Sequence, residues 1–214
     1  MLKLHAVHYS PATVNQPVLC GIDLTADVGS PLLIAGRSGS GKTTLLDVIS
    51  GLSGEQSGQV SWKGKPLNRR QRRWLCGLVF QFPERHFLGL SVAQELRLGQ
   101  RRSNSDQQQA VLRRVGLSGI NLNQPPERLS GGQQRRLALA VQLLRGAQVL
   151  LLDEPTAGLD WSVRSDVLDL LADLARQAVV IVVTHEPQLF SDWDCNRCQL
   201  LGGQLKPVTT LPAP

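Results

Sequence analysis

Short apolar runs separated by helical patterns dominate the hydrophobic profile of this chain. The runs Pro31–Ala35, Val149–Leu152 and Ala178–Val183 have no polar residue, which is typical of strands that are buried on both faces. Helical spacing follows the first run, extends from near Ser130 to Leu144 before the second, and covers Val163–Arg176 before the third. Strands that alternate with helices predict an α/β fold with a parallel sheet covered on both sides.

The remaining segments give weaker patterns. Leu2–Tyr9 alternates between apolar and polar residues and predicts an edge strand, and Val18–Leu24 predicts another strand. Residues 92–118 are predicted to be helical, with Gly116 as the stop signal. The tail Lys206–Pro214 contains three prolines and is expected to fray.

Composition indicates a globular chain. Hydrophobic residues make up 42% of the 214 residues and charged residues 19%, which argues against disorder. The longest uninterrupted apolar run, Ala178–Val183, has six residues, whereas a bilayer-spanning helix needs about 20. The first residues contain neither a long apolar core nor a small-residue cleavage site. We therefore expect neither export nor membrane spanning.

Basic charge is concentrated in the middle third of the chain. Residues 69–136 contain thirteen Arg, no Lys and four acidic residues, whereas the whole chain has a net charge of +6. An arginine-rich segment suits an anionic partner, such as nucleotide phosphates, a membrane surface or nucleic acid. A solvated arginine face is the alternative. The four Trp residues are scattered along the chain and predict no base-stacking platform.

The segment 36–44 has the residue types of a phosphate-binding loop. It fits G-x-x-x-x-G-K-[ST], and it lies between a buried strand and a helix, as such loops do. Its glycines allow backbone N–H groups to curl around phosphates, Lys42 can reach the terminal phosphates, and the Thr43 hydroxyl can hold Mg²⁺. The predicted nucleotide-binding residues are Gly36, Arg37, Ser38, Gly39, Ser40, Gly41, Lys42, Thr43 and Thr44.

Two further motifs suit the same chemistry. The run Val149–Leu152 ends in Asp153 and Glu154, which predicts that Asp153 holds Mg²⁺ and that Glu154 acts as general base toward water. In Leu129–Arg136, Ser130 is predicted to cap a helix whose first residues, Gly131 and Gly132, leave N–H groups free for a second phosphate contact.

With these motifs in order, the chain resembles the ATP-binding subunit of ABC transporters over about residues 2–205. Gly36–Thr44 is similar to the Walker A motif of the family, Leu129–Gln133 to its signature and Val149–Glu154 to its Walker B motif. Further matches are Gln81 for the Q-loop glutamine, Ala157–Asp160 for the D-loop, His185 for the switch histidine and Tyr9 for the aromatic that stacks on adenine.

The resemblance implies one P-loop NTPase domain of the ABC ATPase type. Its mostly parallel sheet core would have an antiparallel β edge and a helical subdomain. The core would span about 1–81 and 137–205, the subdomain about 82–136 and the tail 206–214. Two domains would pair head to tail, so that Ser130, Gly131, Gly132 and Gln133 of one cover ATP on the other.

Roles at the site follow from the resemblance as well. Glu154 would activate water, His185 would contact the γ-phosphate, and Lys42 would bind phosphate. Thr43, Asp153 and Gln81 would hold Mg²⁺, and Gln81 would link it to the partner subunit. The expected cofactors are ATP and Mg²⁺, and we expect a competent ATPase.

The segments Gly77–Phe87 and Ser91–Leu96 resemble energy-coupling-factor ATPases, which drive importers of vitamins and of cobalt or nickel. The expected partners are integral membrane subunits and a second ABC ATPase, identical or related, with no nucleic acid. The expected location is the cytoplasmic face of the membrane, or the stroma for an organellar protein. A soluble ABC ATPase acting on nucleic acid or the ribosome, and a non-hydrolysing regulatory subunit, are the alternatives.

Cysteine usage predicts reduced thiols. The chain has Cys20, Cys76, Cys195 and Cys198 and no recognisable export signal. The last two form a C-x-x-C, but no second pair completes a metal site. Free thiols are the favoured interpretation, and redox sensing is the alternative.

Overall fold

The computed structural model describes residues 1–12, 16–98 and 104–208. The strands are β1 (Leu2–Tyr9), β2 (Leu19–Ala26), β3 (Leu32–Ala35), β4 (Ser57–Trp62), β5 (Lys65–Pro66), β6 (Cys76–Val79), β7 (Val149–Asp153), β8 (Val179–Thr184), β9 (Asn196–Leu201) and β10 (Gln204–Pro207). The helices are α1 (Lys42–Ser50), α2 (Arg69–Leu75), α3 (Val92–Arg97), α4 (Ser105–Arg114), α5 (Gly131–Leu144) and α6 (Trp161–Ala175). Short 3₁₀ turns cover Pro83–His86, Pro126–Arg128 and Pro187–Phe190.

A six-stranded sheet in the order β10-β9-β3-β8-β7-β6 forms the core. The five strands from β9 to β6 are parallel, and β10 adds an antiparallel edge. Strands β3, β7 and β8 are buried along their whole length, because apolar clusters cover both faces of the sheet. The predicted α/β fold with its mostly parallel sheet is confirmed.

A second, antiparallel sheet has the order β2-β1-β4-β5. The prediction that Leu2–Tyr9 is an edge strand is wrong, because β1 pairs with β2 on one side and β4 on the other. Its alternation is also broken by a bulge at Ala6, where φ is +46°. Leu2 and Leu4 are buried before the bulge and Val7 after it, so the buried side changes from even to odd positions.

The helical stretch predicted at 92–118 is interrupted. Helix α3 ends at Arg97, because Leu98 has extended backbone with ψ near 134°. Helix α4 begins after Asn104, whose side chain forms a capping box with Gln107. Arg101 and Arg102, two of the thirteen arginines of residues 69–136, lie outside the described residues.

Helix α5 starts after Ser130 and ends at Leu144, as predicted. It passes through the expected 136/137 subdomain boundary without a break, so the proposed division of the chain stays a prediction. The tail was expected to fray from Lys206, but Lys206 and Pro207 pair with β9 in strand β10. The end of the tail, 209–214, lies outside the described residues.

Of the four arginines of α2, Arg69, Arg70 and Arg73 are exposed and Arg72 is buried. Arg72 is fully buried, donates to the Val48 carbonyl over 2.9 Å and pairs with Glu55 over 2.5 Å. Arg69 and Arg73 donate to the Gly51 carbonyl. These guanidinium groups satisfy carbonyls at the C-terminal end of α1. None of the described helices has the length and apolar character needed to cross a bilayer.

Candidate active site

Four strand ends bring the predicted residues to one edge of the large sheet. Strands β3, β8, β7 and β6 are parallel neighbours, so their carboxyl ends lie on the same side. The phosphate-binding loop follows β3, His185 follows β8, Glu154 follows β7 and Gln81 lies just beyond β6. The order of the sheet therefore brings together motifs that are far apart in the chain.

The loop 36–44 has the backbone geometry of a phosphate cradle. Gly39 has φ +78° with open space where a Cβ would stand, and Gly41, the N-cap of α1, has φ +97°. Both values lie in the left-handed region that glycine adopts without strain. The Lys42 ammonium donates to the carbonyls of Gly36 and Arg37 over 2.8 and 3.2 Å, which holds the lysine head across the loop.

A polar atom inside this cradle lacks a partner. Ser40 Oγ is buried and makes no hydrogen bond within the described part of the chain. Unpaired buried hydroxyls are uncommon in folded proteins. The open space at Gly39, the N-terminus of α1 and the unpaired Ser40 hydroxyl together fit a bound phosphate chain.

Thr43 and Asp153 present two oxygens to one point beside the loop. Thr43 Oγ1 donates to Asp153 Oδ2 over 2.6 Å. Burial raises the pKa of Asp153, and the charge of Glu154 acts in the same direction, while the Thr43 hydrogen bond and Lys42 lower it. A hydroxyl and a carboxylate are hard oxygen ligands, and a cation would offset the buried negative charge. The pair therefore fits Mg²⁺.

The Glu154 carboxylate is buried and fixed at both oxygens. Oε2 accepts from the Thr184 hydroxyl over 2.8 Å, and Oε1 lies 2.7 Å from His185 Nδ1 and 3.7 Å from Lys42 Nζ. Glu154 itself has φ +48°, a conformation that costs energy outside glycine and clusters at functional sites. An oriented carboxylate beside a lysine and a histidine can accept a proton from water next to a phosphate.

The signature turn, residues 130–133, has the predicted helix cap and one contact that the sequence did not predict. Ser130 and Gln133 form a reciprocal capping box, as expected for a helix start. Ser130, Gly131 and Gln133 are exposed, but Gly132 is buried against α6. A Cβ on Gly132 would stand 2.4 Å from Val163 Cγ1. Close packing of two helices therefore also requires glycine at Gly132, a reason that the sequence did not suggest.

The signature turn is separate from the phosphate-binding loop of its own chain. Among the described residues, no hydrogen bond or ion pair joins 130–133 to 36–44. The turn lies beside Leu159 and Val163 instead.

Gln81 is half-buried, and its backbone oxygen accepts from Arg135. Tyr9 is half-buried at the end of β1. The roles assigned to these residues stay predictions.

Thr184, Arg135 and Asp47 were given no role by the sequence. Thr184 is the one hydroxyl in the apolar run of β8, which is a signal that could have been used. From the sequence, Arg135 was included only in the count of basic residues, yet its side chain is buried. Asp47 lies on α1, and its pKa is raised by burial and by the charge of Asp153; nothing in the sequence relates these two carboxylates.

Cys195 and Cys198 do not form a site. Cys195 packs against the apolar cluster on one face of the large sheet, and Cys198 packs against the cluster on the other. Both are free thiols, and burial raises the pKa of Cys195 to about 11. Among the described residues, no group of His, Cys, Asp and Glu side chains could hold a metal by protein ligands alone. The reduced-thiol interpretation agrees with this arrangement.

Comparisons with known proteins agree with this geometry. A family model described as "ABC transporter" matches residues 19–157. The chain is 37% identical to "ABC transporter I family member 11, chloroplastic" of Arabidopsis thaliana, over 86% of this chain and 72% of that protein. It is 36% identical to the energy-coupling factor transporter ATP-binding protein EcfA2 of Methanospirillum hungatei, over 83% of this chain and 48% of that protein. The chain thus spans about half the length of this second relative.

A solved structure is also similar. It is CbiO1 from Clostridium perfringens, described as part of the ABC transporter complex CbiONQ. The TM-score is 0.85 at 28% sequence identity, and the match covers 95% of this chain and 86% of that one.

Proposed function

Because the chain belongs to the ABC transporter family of ATP-binding, ATP-hydrolysing proteins, we propose that it works as a head-to-tail dimer beneath separate membrane subunits of an importer of the energy-coupling-factor type. The observation that carries the proposal is the convergence of Lys42, Glu154 and His185 at the phosphate-binding loop. Phosphoryl transfer to water requires a group that binds the phosphate, which is the lysine, and a base that orients the water, which is the fixed carboxylate. The histidine lies beside the carboxylate.

Each group has a defined task in the proposed reaction. The backbone of the loop and Lys42 bind the phosphates of ATP, and Tyr9 stacks on adenine. Glu154 Oε1 accepts the proton of the attacking water while Thr184 holds the other carboxylate oxygen, and His185 contacts the γ-phosphate. Thr43, Asp153 and Gln81 are the proposed Mg²⁺ ligands, and Mg²⁺ neutralises charge on the phosphate oxygens when bound.

The separation of the two phosphate-binding devices supports a dimer. Ser130, Gly131 and Gln133 are exposed at the start of α5, and the described hydrogen bonds do not join residues 130–133 to loop 36–44. A second copy or a related ATPase placed head to tail would bring its signature turn over Lys42. The proposed site is then complete only when two chains meet.

Two observations favour the importer type. Both EcfA2 and the protein from the CbiONQ complex are similar over most of this chain. In addition, the segment after Gln81 exposes large apolar side chains, namely Phe82, Leu88 and Leu90, as a surface that receives a membrane subunit would. Contact with a transmembrane subunit would keep the chain at the inner face of a membrane, or at the stromal face in an organelle.

Dimer formation can be tested with the full chain. Glu154→Gln is expected to bind Mg-ATP, to hydrolyse it at least 100-fold more slowly than wild type, and to elute as a dimer in light scattering. Adding Ser130→Arg is expected to return it to a monomer, because the larger side chain blocks the signature turn. A Glu154→Gln chain that stays monomeric in saturating Mg-ATP would contradict the head-to-tail proposal.

The transporter assignment needs a second experiment. Tagged Glu154→Gln is captured with Mg-ATP from gently solubilised native membranes, beside Glu154→Gln/Phe82→Ala and Glu154→Gln/Trp74→Ala. We expect a multi-spanning protein in near-equal amount, lost with the Phe82 change and kept with the change at Trp74, an exposed tryptophan on α2. Recovery of RNA or ribosomal proteins instead would favour the soluble ABC ATPase.

A further inference from the structure

One buried arginine connects three loops of the site. Arg135 lies in the second turn of α5, is only 6% exposed, and belongs neither to loop 36–44 nor to the Asp153–Glu154 pair. Its Nη2 group donates one hydrogen bond to the Gln81 carbonyl, over 3.3 Å, and another to the Ala157 carbonyl. Gln81 follows β6 and Ala157 follows β7, so a single nitrogen joins two loops that are far apart in the chain.

The third segment is the signature turn, which begins the same helix α5. Nη1 of Arg135 lies 3.9 Å from where a Cβ of Gly131, one helical turn earlier, would stand. The guanidinium group also interacts electrostatically with Glu84, in the 3₁₀ turn that follows Gln81. Arg135 therefore binds the segments that contain Gln81 and Ala157 from the helix that the signature turn begins, and the charge of Glu84 favours its ionised form.

Arg135 makes these contacts with little freedom to move. Its Nε is buried and has no hydrogen-bond partner among the described residues, so the side chain leaves one donor unpaired. A buried unpaired donor is costly. Arg135 leaves Nε unpaired and forms both Nη2 hydrogen bonds in the same conformation. A planar guanidinium fixed by two carbonyls holds those carbonyls at a set separation, which a shorter or apolar side chain would not do.

We propose that Arg135 is a positioning residue that sets the Gln81 loop, the signature turn and the loop at Ala157 relative to one another. Its role lies in the alignment needed for hydrolysis and not in holding ATP, because its hydrogen bonds within the described part of the chain go to Gln81 and Ala157 and not to loop 36–44 or Glu154. Loss of its donors leaves ATP affinity intact and lowers turnover. The inference rests on the proposed function, since it assumes that these three loops act at the dimer's ATP site.

The test compares Arg135→Met with Arg135→Lys in the full chain. Both keep an unbranched stem, but only lysine keeps a charge and N–H donors. For Arg135→Met we expect kcat to fall at least tenfold, with the Kd for Mg-ATP, measured by calorimetry, within twofold of wild type. Arg135→Lys should recover part of the lost turnover. Arg136→Gln is the matched control, because the neighbouring arginine pairs with the exposed Asp166 instead, and its kcat should stay within twofold.

The outcomes separate this inference from the proposed function. If wild type and Glu154→Gln hydrolyse ATP equally, the proposed function fails. If Glu154→Gln is inactive but Arg135→Met matches wild type in kcat, the positioning role alone fails. It also fails if Kd rises as much as kcat falls, or if lysine and methionine reduce turnover equally. Should Arg135→Met not fold, Arg135→Lys decides: kcat below half of wild type at unchanged Kd supports the role, and unchanged kcat contradicts it.

Discussion

The Thr184 hydroxyl donates a 2.8 Å hydrogen bond to Oε2 of Glu154, at the point where β8 ends. Thr184 is fully buried, and its Oγ1 also accepts from the Glu186 amide over 3.0 Å. The backbone after β8 therefore fixes the hydroxyl, and the hydroxyl fixes the plane of the carboxylate. Oε1 is left to face His185 and Lys42, where the proposed reaction takes place.

Replacing this hydroxyl tests its orienting role. Thr184→Val keeps the shape of the side chain and removes a charge-assisted hydrogen bond, which contributes about 1.5–3 kcal/mol. We expect kcat for ATP hydrolysis to fall about tenfold or more, while KM changes by less than twofold. Steady-state kinetics check this, with Thr25→Val, an exposed threonine of β2, as the control. A higher KM with unchanged kcat would instead assign Thr184 to nucleotide binding.

The buried carboxyl group of Asp153 is expected to lower the stability of the folded state. Burial raises its pKa above the ordinary value of 3.8, so the folded state binds its proton more tightly than the unfolded state does. The resulting cost begins as pH rises through 3.8, where the unfolded carboxyl ionises, and is complete above the raised pKa of the folded state. Asp153→Asn removes this cost and keeps an acceptor for Thr43.

We therefore expect Asp153→Asn to raise the Tm at pH 7 in the absence of Mg²⁺, by about 3 °C for each kcal/mol relieved, and to lose Mg-dependent hydrolysis. Differential scanning calorimetry measures the first effect. Asp169→Asn, on the exposed side of α6, should leave the Tm unchanged. A Tm that falls in Asp153→Asn would mean that the ionised carboxylate stabilises the fold.

The packing of α5 on α6 makes Gly132 sensitive to one methyl group. Gly132→Ala would place Cβ 2.4 Å from Val163 Cγ1, and overpacking of this kind costs about 1–3 kcal/mol. We expect a lower Tm for Gly132→Ala and recovery of most of the loss in Gly132→Ala/Val163→Ala. Gly131→Ala, where the nearest atom is 3.7 Å away, should be neutral for stability. Equal Tm values for Gly132→Ala and wild type would rule out the steric explanation.

Thiol chemistry should separate the cysteines. Burial raises the pKa of Cys76 to about 12, so at pH 8 this thiol is protonated as well as inaccessible. We expect iodoacetamide to leave Cys76 unmodified in the folded protein and to modify it in guanidinium chloride, as read by peptide mass spectrometry. Mild oxidation should give no Cys195–Cys198 disulfide, because the two thiols pack on opposite faces of the sheet. That disulfide in the folded chain would revive the redox-sensor interpretation.

The sequence was sufficient for features that depend on local order. The all-apolar runs predicted β3, β7 and β8, and the parallel arrangement of these strands brings Lys42, Glu154 and His185 to one edge. It was not sufficient where distant segments meet. The hydrogen bond from Thr184 to Glu154 and the Gly132–Val163 contact depend on side chains that are 30 or more residues apart.

Composition did not distinguish exposed from buried arginines. Most described arginines of residues 69–136 are exposed, but Arg72 and Arg135 are buried and bind backbone carbonyls. A guanidinium group has five donors and can satisfy several helix-end or loop carbonyls at once. Composition counts the charge of such a residue but does not say whether the charge is exposed.

The bulge at Ala6 determines which side chain reaches the end of β1. Gly58 allows the bulge, since a Cβ there would collide with the Ala6 carbonyl oxygen at 2.3 Å. One extra residue in β1 puts Tyr9 on the same side as Leu2 and Leu4, and not opposite them. An insertion or deletion of one residue in this strand would exchange Tyr9 for a neighbour without altering any nucleotide-binding motif. The proposed adenine contact therefore depends on the length of β1 as much as on the identity of Tyr9.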